Sequence, residues 1–160
     1  MSERYQHWLL SGGIGSGKSA VRAMFEAHGL GTIDSDSIGH SLLEPGGAAF
    51  DRVAEEWPGV LIDGVIDRGA LAKIVFNSPD DLAALESMTH PLIFGEITAR
   101  AQRSEGPLIV EIPILRPTMW GEWQVMVVDA PDSVRLERGL RRGQTEEDLR
   151  ARMAAQPTRE

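Results

Sequence analysis

Gly12-Gly13-Ile14-Gly15-Ser16-Gly17-Lys18-Ser19 decides the fold of this chain. The eight residues match G-x-x-x-x-G-K-[S/T] in full. Each residue type has a physical task. Glycines permit positive φ, so backbone N–H groups can turn inward around phosphate oxygens. The helix that follows presents its unpaired N–H groups and positive dipole end to the same anion. Lys18 can reach the β- and γ-phosphates, and Ser19 can ligate a magnesium ion. The stretch Gly13, Ile14, Gly15, Ser16, Gly17, Lys18, Ser19 and Ala20 is therefore the expected contact surface for a nucleoside triphosphate. A chance match in a chain of 160 residues has odds of roughly 1 in 200. Lys18 is one of only two lysines against fourteen arginines, which makes an incidental lysine still less credible.

The surroundings fit the loop. Gln6 to Leu10 reads as a short strand before it, and a helix is expected from Lys18. Val21, Met24, Phe25 and His28 fall at i, i+3, i+4 and i+7, an apolar face that Gly29 can terminate. Thr32-Ile33 reads as a second strand ending at Asp34. Pro45-Gly46-Gly47 is a break, and Ala48 to Trp57 is helical in pattern. Ser78-Pro79-Asp80-Asp81 opens a helix, with proline at the first helical position and acids in the first turn. Pro91 is expected to interrupt that helix near His90, with a further helix from Leu92 to Arg103. Leu108 to Glu111 and Val125 to Asp129 are continuous apolar runs suited to buried parallel strands. Val134 to Arg142 is helical and stopped by Gly143, and Thr145 caps the next helix. Strands alternating with helices imply an α/β fold with a parallel sheet.

Composition narrows the class. Apolar residues make up 42% and charged residues 25%, ordinary globular values for one domain. The absence of cysteine excludes disulfides and cysteine-ligated zinc. The opening MSERYQHWLL does not read as a signal peptide, and no apolar run nears the ~20 residues that span a bilayer. The expectation is a cytosolic protein without membrane contact. The net charge of −8 argues against a general nucleic-acid binder. From Ala130 to Glu160 seven arginines face six acids, a local +1 that leaves −9 for the rest. That suits one anionic ligand, or a solvated helix laced with ion pairs.

The acceptor must be read elsewhere. In open α/β sheets ligands bind beyond the carboxyl ends of the strands. Asp34 and Asp36 fall at such an end, and either could orient an acceptor hydroxyl or cap the next helix. Glu111 ends the next apolar strand, where an acid that contacts magnesium through water is expected, or a rim acid without a ligand role. Arg135, Arg138 and Arg142 are spaced i, i+3 and i+7, which puts them on one helix face suited to phosphate contacts or simply to solvent.

Taken in order, these pieces resemble the dephospho-coenzyme A kinase family. The resemblance is carried by the phosphate loop, Ile33-Asp34-Ser35-Asp36, Glu44-Pro45-Gly46, Asp67-Arg68-Gly69-Ala70-Leu71 and His90-Pro91-Leu92-Ile93. It continues through Glu111-Ile112-Pro113-Ile114-Leu115, Val128-Asp129-Ala130-Pro131 and Arg152-Met153-Ala154-Ala155-Gln156. It implies a three-layer P-loop NTPase fold with a helical acceptor-binding insertion and a helical lid. The core would be about 1–40 and 104–134, the insertion about 41–103 and the lid about 135–160. It implies ATP and Mg2+, and phosphorylation of the ribose 3′-hydroxyl of dephospho-coenzyme A. Asp36 would act as base, Lys18 and Arg142 would serve the transferred phosphoryl group, and Ser19 and Glu111 the metal. Asp34, Arg68, His90 and Pro91 would line the acceptor site.

The chain departs from the family pattern in three places. Glu111 stands where an aspartate is usual. Ile114-Leu115-Arg116-Pro117 replaces a more apolar segment. Family members also continue past the position of Glu160 with a strand, a loop beside the adenine and a closing helix. Without them Val125 to Asp129 would be an edge open to self-association. Two other readings therefore stand beside the kinase: a catalytically impaired relative that binds nucleotide as a non-enzymatic protein, and another small-molecule P-loop kinase.

Overall fold

The computed structural model of the chain describes residues 7–113 and 123–154. Ile114 to Pro117 and Ala155 to Glu160, on which parts of the resemblance rest, lie outside the described residues, as does Gln6. The described chain divides into two compact units, Ser35–Gln102 and the segments on either side of it.

The first unit is built on a four-stranded, fully parallel sheet. Its strands are β1 (Trp8–Ser11), β2 (Gly31–Asp34), β5 (Leu108–Glu111) and β6 (Gln124–Val127), in the order β2-β5-β1-β6. Register is fixed by pairs such as Leu9 with Val110 and Leu10 with Glu111. β1 and β5 are central, and Leu9, Leu10, Leu108, Ile109 and Val110 are buried. Burial of each such side chain contributes about 1.5–3 kcal/mol. Parallel strands need crossover connections. Helix α1 (Lys18–Ala27) joins β1 to β2, and Gly29 at φ 80° closes it as the sequence predicts.

Two expectations for this unit are sharpened. Val125 to Asp129 carries both the pattern of a buried strand and the expectation of an edge, and among the described residues β6 is the edge, with Val127 67% exposed. A continuous apolar run reports the propensity of a strand, not how many neighbours it acquires. On α1, Val21 and Phe25 are half-buried but Met24 is 62% exposed, so the inward face is narrower than the periodicity suggests.

After β6 come α6 (Asp132–Arg141) and α7 (Glu146–Ala154). Gly143 at φ 81° ends the first, and Thr145 Oγ1 accepts from the Asp148 N–H to cap the second. They pack through Leu149, which is buried; a Cβ on Gly139 would lie 2.4 Å from it, so α6 carries glycine where α7 approaches.

The second unit starts without a loop, since α2 (Ser35–Leu42) follows β2 directly. It continues with α3 (Phe50–Glu56), a 3-10 turn (Pro58–Val60), the hairpin β3 (Leu61–Ile62) and β4 (Val65–Ile66), α4 (Arg68–Asn77) and α5 (Pro79–Arg103). Its core gathers Ala49, Val53, Trp57, Val60, Ile66, Leu71 and Val75. Trp57 donates from its indole to Asp81 at 2.9 Å, which lets a buried polar ring meet its partner.

The break expected at Pro91 does not occur: α5 runs unbroken for 25 residues. Proline there costs about 3 kcal/mol and cannot donate to the Ser87 carbonyl. Leu82, Leu85 and Met88 before it and Leu92 after it all pack on the same core cluster. That shared burial outweighs the local penalty.

Candidate active site

The phosphate loop leaves β1 at Ser11 and enters α1 at Lys18. Gly12, Gly15 and Gly17 hold φ of 150°, 73° and 106°, values that L side chains rarely adopt. Gly17 is the residue before the helix, so the N-terminal N–H groups of α1 open onto the loop. Ser16 is 4% exposed, and its Oγ is a buried polar atom with no hydrogen-bond partner among the described residues. Such an atom is costly unless a ligand completes it. The loop's conformation and this hydroxyl fit a bound triphosphate. The Lys18 ammonium donates to the carbonyl oxygens of Gly12 at 2.7 Å and Gly13 at 3.3 Å, which holds it over the loop.

Ser19 Oγ donates to Glu111 Oε1 at 2.9 Å. The last residue of β5 thus meets the first turn of α1, and the two groups expected to serve a metal stand together. Among the described residues no cluster of three or more His, Asp or Glu could hold a metal by itself. A magnesium ion here would draw on Ser19, Glu111 and the phosphates.

Arg22, which carries no motif signal, joins this pair. Its Nε donates to Glu111 Oε2 at 2.8 Å, and its Nη2 lies 3.8 Å from Asp34 Oδ2. The hydrogen bond to Glu111 raises the Arg22 pKa above its ordinary value; partial burial opposes this, and the charges of Glu26, Glu111 and Asp34 add to it. The sequence signal was spacing alone: Arg22 follows Lys18 by four residues and Ser19 by three, on one side of α1.

The arginines of α6 meet the loop from elsewhere. Arg135 is buried, and its Nε donates to the Ile14 carbonyl at 2.8 Å while Asp132 takes Nη1 at 3.2 Å. Arg138 donates from Nη1 to the carbonyls of Gly15 at 3.1 Å and Ser16 at 2.8 Å. The expected basic face therefore braces loop carbonyls. Arg142 is not on the helix proper but its C-cap, and it is exposed. Arg141, Arg150 and Arg152 form i,i+4 pairs with Glu137, Glu146 and Asp148, the solvated alternative foreseen for that segment.

Asp36 lies in the first turn of α2 and is exposed. Arg68 opens α4, whose N-cap Asp67 accepts from the Ala70 N–H at 3.0 Å. His90 and Pro91 sit midway along α5. These four belong to the second unit and come from three different helices.

The chain is similar to known dephospho-CoA kinases. A family model described as dephospho-CoA kinase matches residues 9–160. A dephospho-CoA kinase of Hahella chejuensis is 40% identical over 151 residues, covering 91% of this chain and 73% of the relative. That of Methylococcus capsulatus is 38% identical over 156 residues, covering 94% and 79%. Among solved structures, TT1252 from Thermus thermophilus superposes with a TM-score of 0.87 at 30% identity, covering 97% of this chain and 82% of that one. A dephospho-CoA kinase from Campylobacter jejuni superposes with 0.61 at 25% identity, covering 94% and 79%.

Proposed function

The chain belongs to the dephospho-CoA kinase family, and from that membership we propose how its residues carry the reaction. The protein is a kinase of coenzyme A biosynthesis, transferring a phosphoryl group to an alcohol of dephospho-coenzyme A, its ribose 3′-hydroxyl. One observation supports this reading above the rest: the loop Gly12–Ser19 opens α1 with a buried, unpartnered Ser16 hydroxyl and with Ser19 tied to Glu111.

When bound, magnesium-ATP supplies the γ-phosphoryl group and the divalent charge that offsets its negative oxygens. The loop from Gly13 to Ala20 binds the phosphates through backbone N–H groups and the N-terminus of α1. Lys18 leaves the Gly12 and Gly13 carbonyls to contact the β- and γ-oxygens. Ser19 and Glu111, already joined by a hydrogen bond, would hold the metal, which would supply positive charge beside the phosphates. Asp36 accepts the proton of the ribose hydroxyl as its oxygen attacks. Arg142, exposed at the end of α6, closes on the transferred group. Asp34, Arg68, His90 and Pro91 hold the acceptor nucleotide. The substrates are water-soluble, which supports a cytoplasmic protein; no helix among the described residues is long and apolar enough to cross a membrane. Among the described residues β6 is an edge strand, which supports self-association by strand pairing, an idea that a concentration-independent sedimentation coefficient would sink.

The test is ADP release coupled to a reporter, run with and without dephospho-coenzyme A and Mg2+. Release that needs both is the expected result. ATP binding without acceptor-dependent turnover would overturn the proposal for this chain.

A further inference from the structure

Arg22 stands where three carboxylates meet. Its Nε donates to Glu111 Oε2 at 2.8 Å, its Nη1 donates to Glu26 Oε1 at 2.7 Å, and Nη2 lies 3.8 Å from Asp34 Oδ2. The crowding follows from the sheet. Asp34 and Glu111 are register partners at the ends of β2 and β5. Neighbouring strands lie roughly 5 Å apart, so backbone pairing sets two acids side by side. Like charges in that arrangement repel. The Arg22 guanidinium reaches both from α1, one turn beyond the phosphate loop.

Glu111 is gripped at both oxygens. Oε2 takes Arg22 and Oε1 takes the Ser19 hydroxyl at 2.9 Å. Side-chain exposure is 11% for Glu111 and 23% for Arg22, so water screens this pair less than a surface bridge. An arginine fork can bond one carboxylate and still face a second, which a lysine point charge does less well.

We propose that Arg22 is a positioning residue for the metal pair: it holds Glu111 by Oε2, keeps Oε1 turned to Ser19 and offsets the repulsion between Asp34 and Glu111. This rests on the reading of Ser19 and Glu111 as the groups that serve the divalent cation. The side chain of Arg22 is engaged with Glu111, Glu26 and Asp34. Its effect reaches the cation through the orientation of Glu111, as outer-shell partners act in metal sites generally.

The experiment is calorimetric titration with ATP, in EDTA and in Mg2+, for the wild type, Ser19→Ala, Arg22→Met and Arg22→Lys. The readout is the ratio of the two affinities. The wild type binds more tightly in Mg2+, and Ser19→Ala loses that gain. Arg22→Met keeps the affinity measured in EDTA and loses about tenfold of the gain from Mg2+. Arg22→Lys recovers part of it. A wild-type ratio in Arg22→Met, or an equal loss in EDTA and Mg2+, overturns the proposal while leaving the metal reading intact. If Ser19→Ala keeps the full ratio, the metal reading fails and the proposal falls with it. Should circular dichroism show Arg22→Met unfolded, Arg22→Lys decides: a reduced ratio supports the role and a wild-type ratio removes it.

Discussion

The Nε of Arg135 donates to the carbonyl oxygen of Ile14 at 2.8 Å across 121 residues of sequence, and with the bonds of Arg138 to Gly15 and Ser16 this contact fastens α6 to the phosphate loop. Arg135 is 7% exposed. Arg135→Leu should therefore cost about 1.5–3 kcal/mol, the worth of a hydrogen bond to a charged donor. The loop should also become less ordered, and ATP affinity should fall with stability. Urea midpoints and ATP titrations check both. A variant with wild-type midpoint and affinity would refute the bracing role.

Lys18→Ala should lower turnover by at least ~100-fold through lost stabilisation of phosphoryl charge. The fold should survive, because the carbonyls of Gly12 and Gly13 that the ammonium meets at 2.7 and 3.3 Å belong to the loop itself. Steady-state kinetics and a thermal melt separate the two effects; an unchanged kcat removes the residue from the mechanism.

Asp36→Asn should reduce kcat by about 100- to 10,000-fold, the usual contribution of a positioned base, with ATP affinity nearly unchanged. Asp36 is exposed in the first turn of α2, so stability should hardly move. A large loss of ATP affinity would reassign the residue to the metal.

His7 should make the protein less stable in mild acid. Its Nδ1 accepts from the Leu108 N–H at 3.2 Å, which requires that nitrogen to be unprotonated. Burial holds its pKa below the ordinary 6.5, and the Trp123 ring lies 5.2 Å away. With the folded-state pKa below the unfolded one, the unfolded chain takes the proton first. Unfolding free energy should thus be steady above pH 6.5 and decline below it, down to the folded-state pKa. Urea titrations from neutral to mildly acidic pH test this, and His7→Gln should flatten the slope over that window.

Much of the architecture was legible because it is written locally. Gly12 to Ser19 carries its own geometry, and the short runs around Leu9, Ile33 and Ile109 announce parallel strands whatever their order. What local pattern omits is the partner. The spacing of Arg135 and Arg138 says they share a face, but not that the face meets the carbonyls of Ile14, Gly15 and Ser16. Pro91 reads as a helix break because its local cost is real, yet Met88 and Leu92 bury against one core on either side. Arg22 is silent in sequence because its meaning comes from the pairing of Asp34 with Glu111, two residues far apart in the chain.

The central place of β1 has a consequence for how the protein is made. The first strand leaves the ribosome with nothing to pair with: both of its neighbours, β5 and β6, come late in the chain. Leu108, whose N–H meets His7, is synthesised 101 residues later. At about 5–20 residues per second the wait is roughly 5–20 s, during which Leu9 and Leu10 have no sheet to enter. The Ser35–Gln102 unit, with its own core, is complete before then. Nascent chains stalled before Leu108 should keep that middle unit resistant to protease while Trp8–Asp34 is still digested, so the segment that binds phosphate is the first to be translated and among the last to fold.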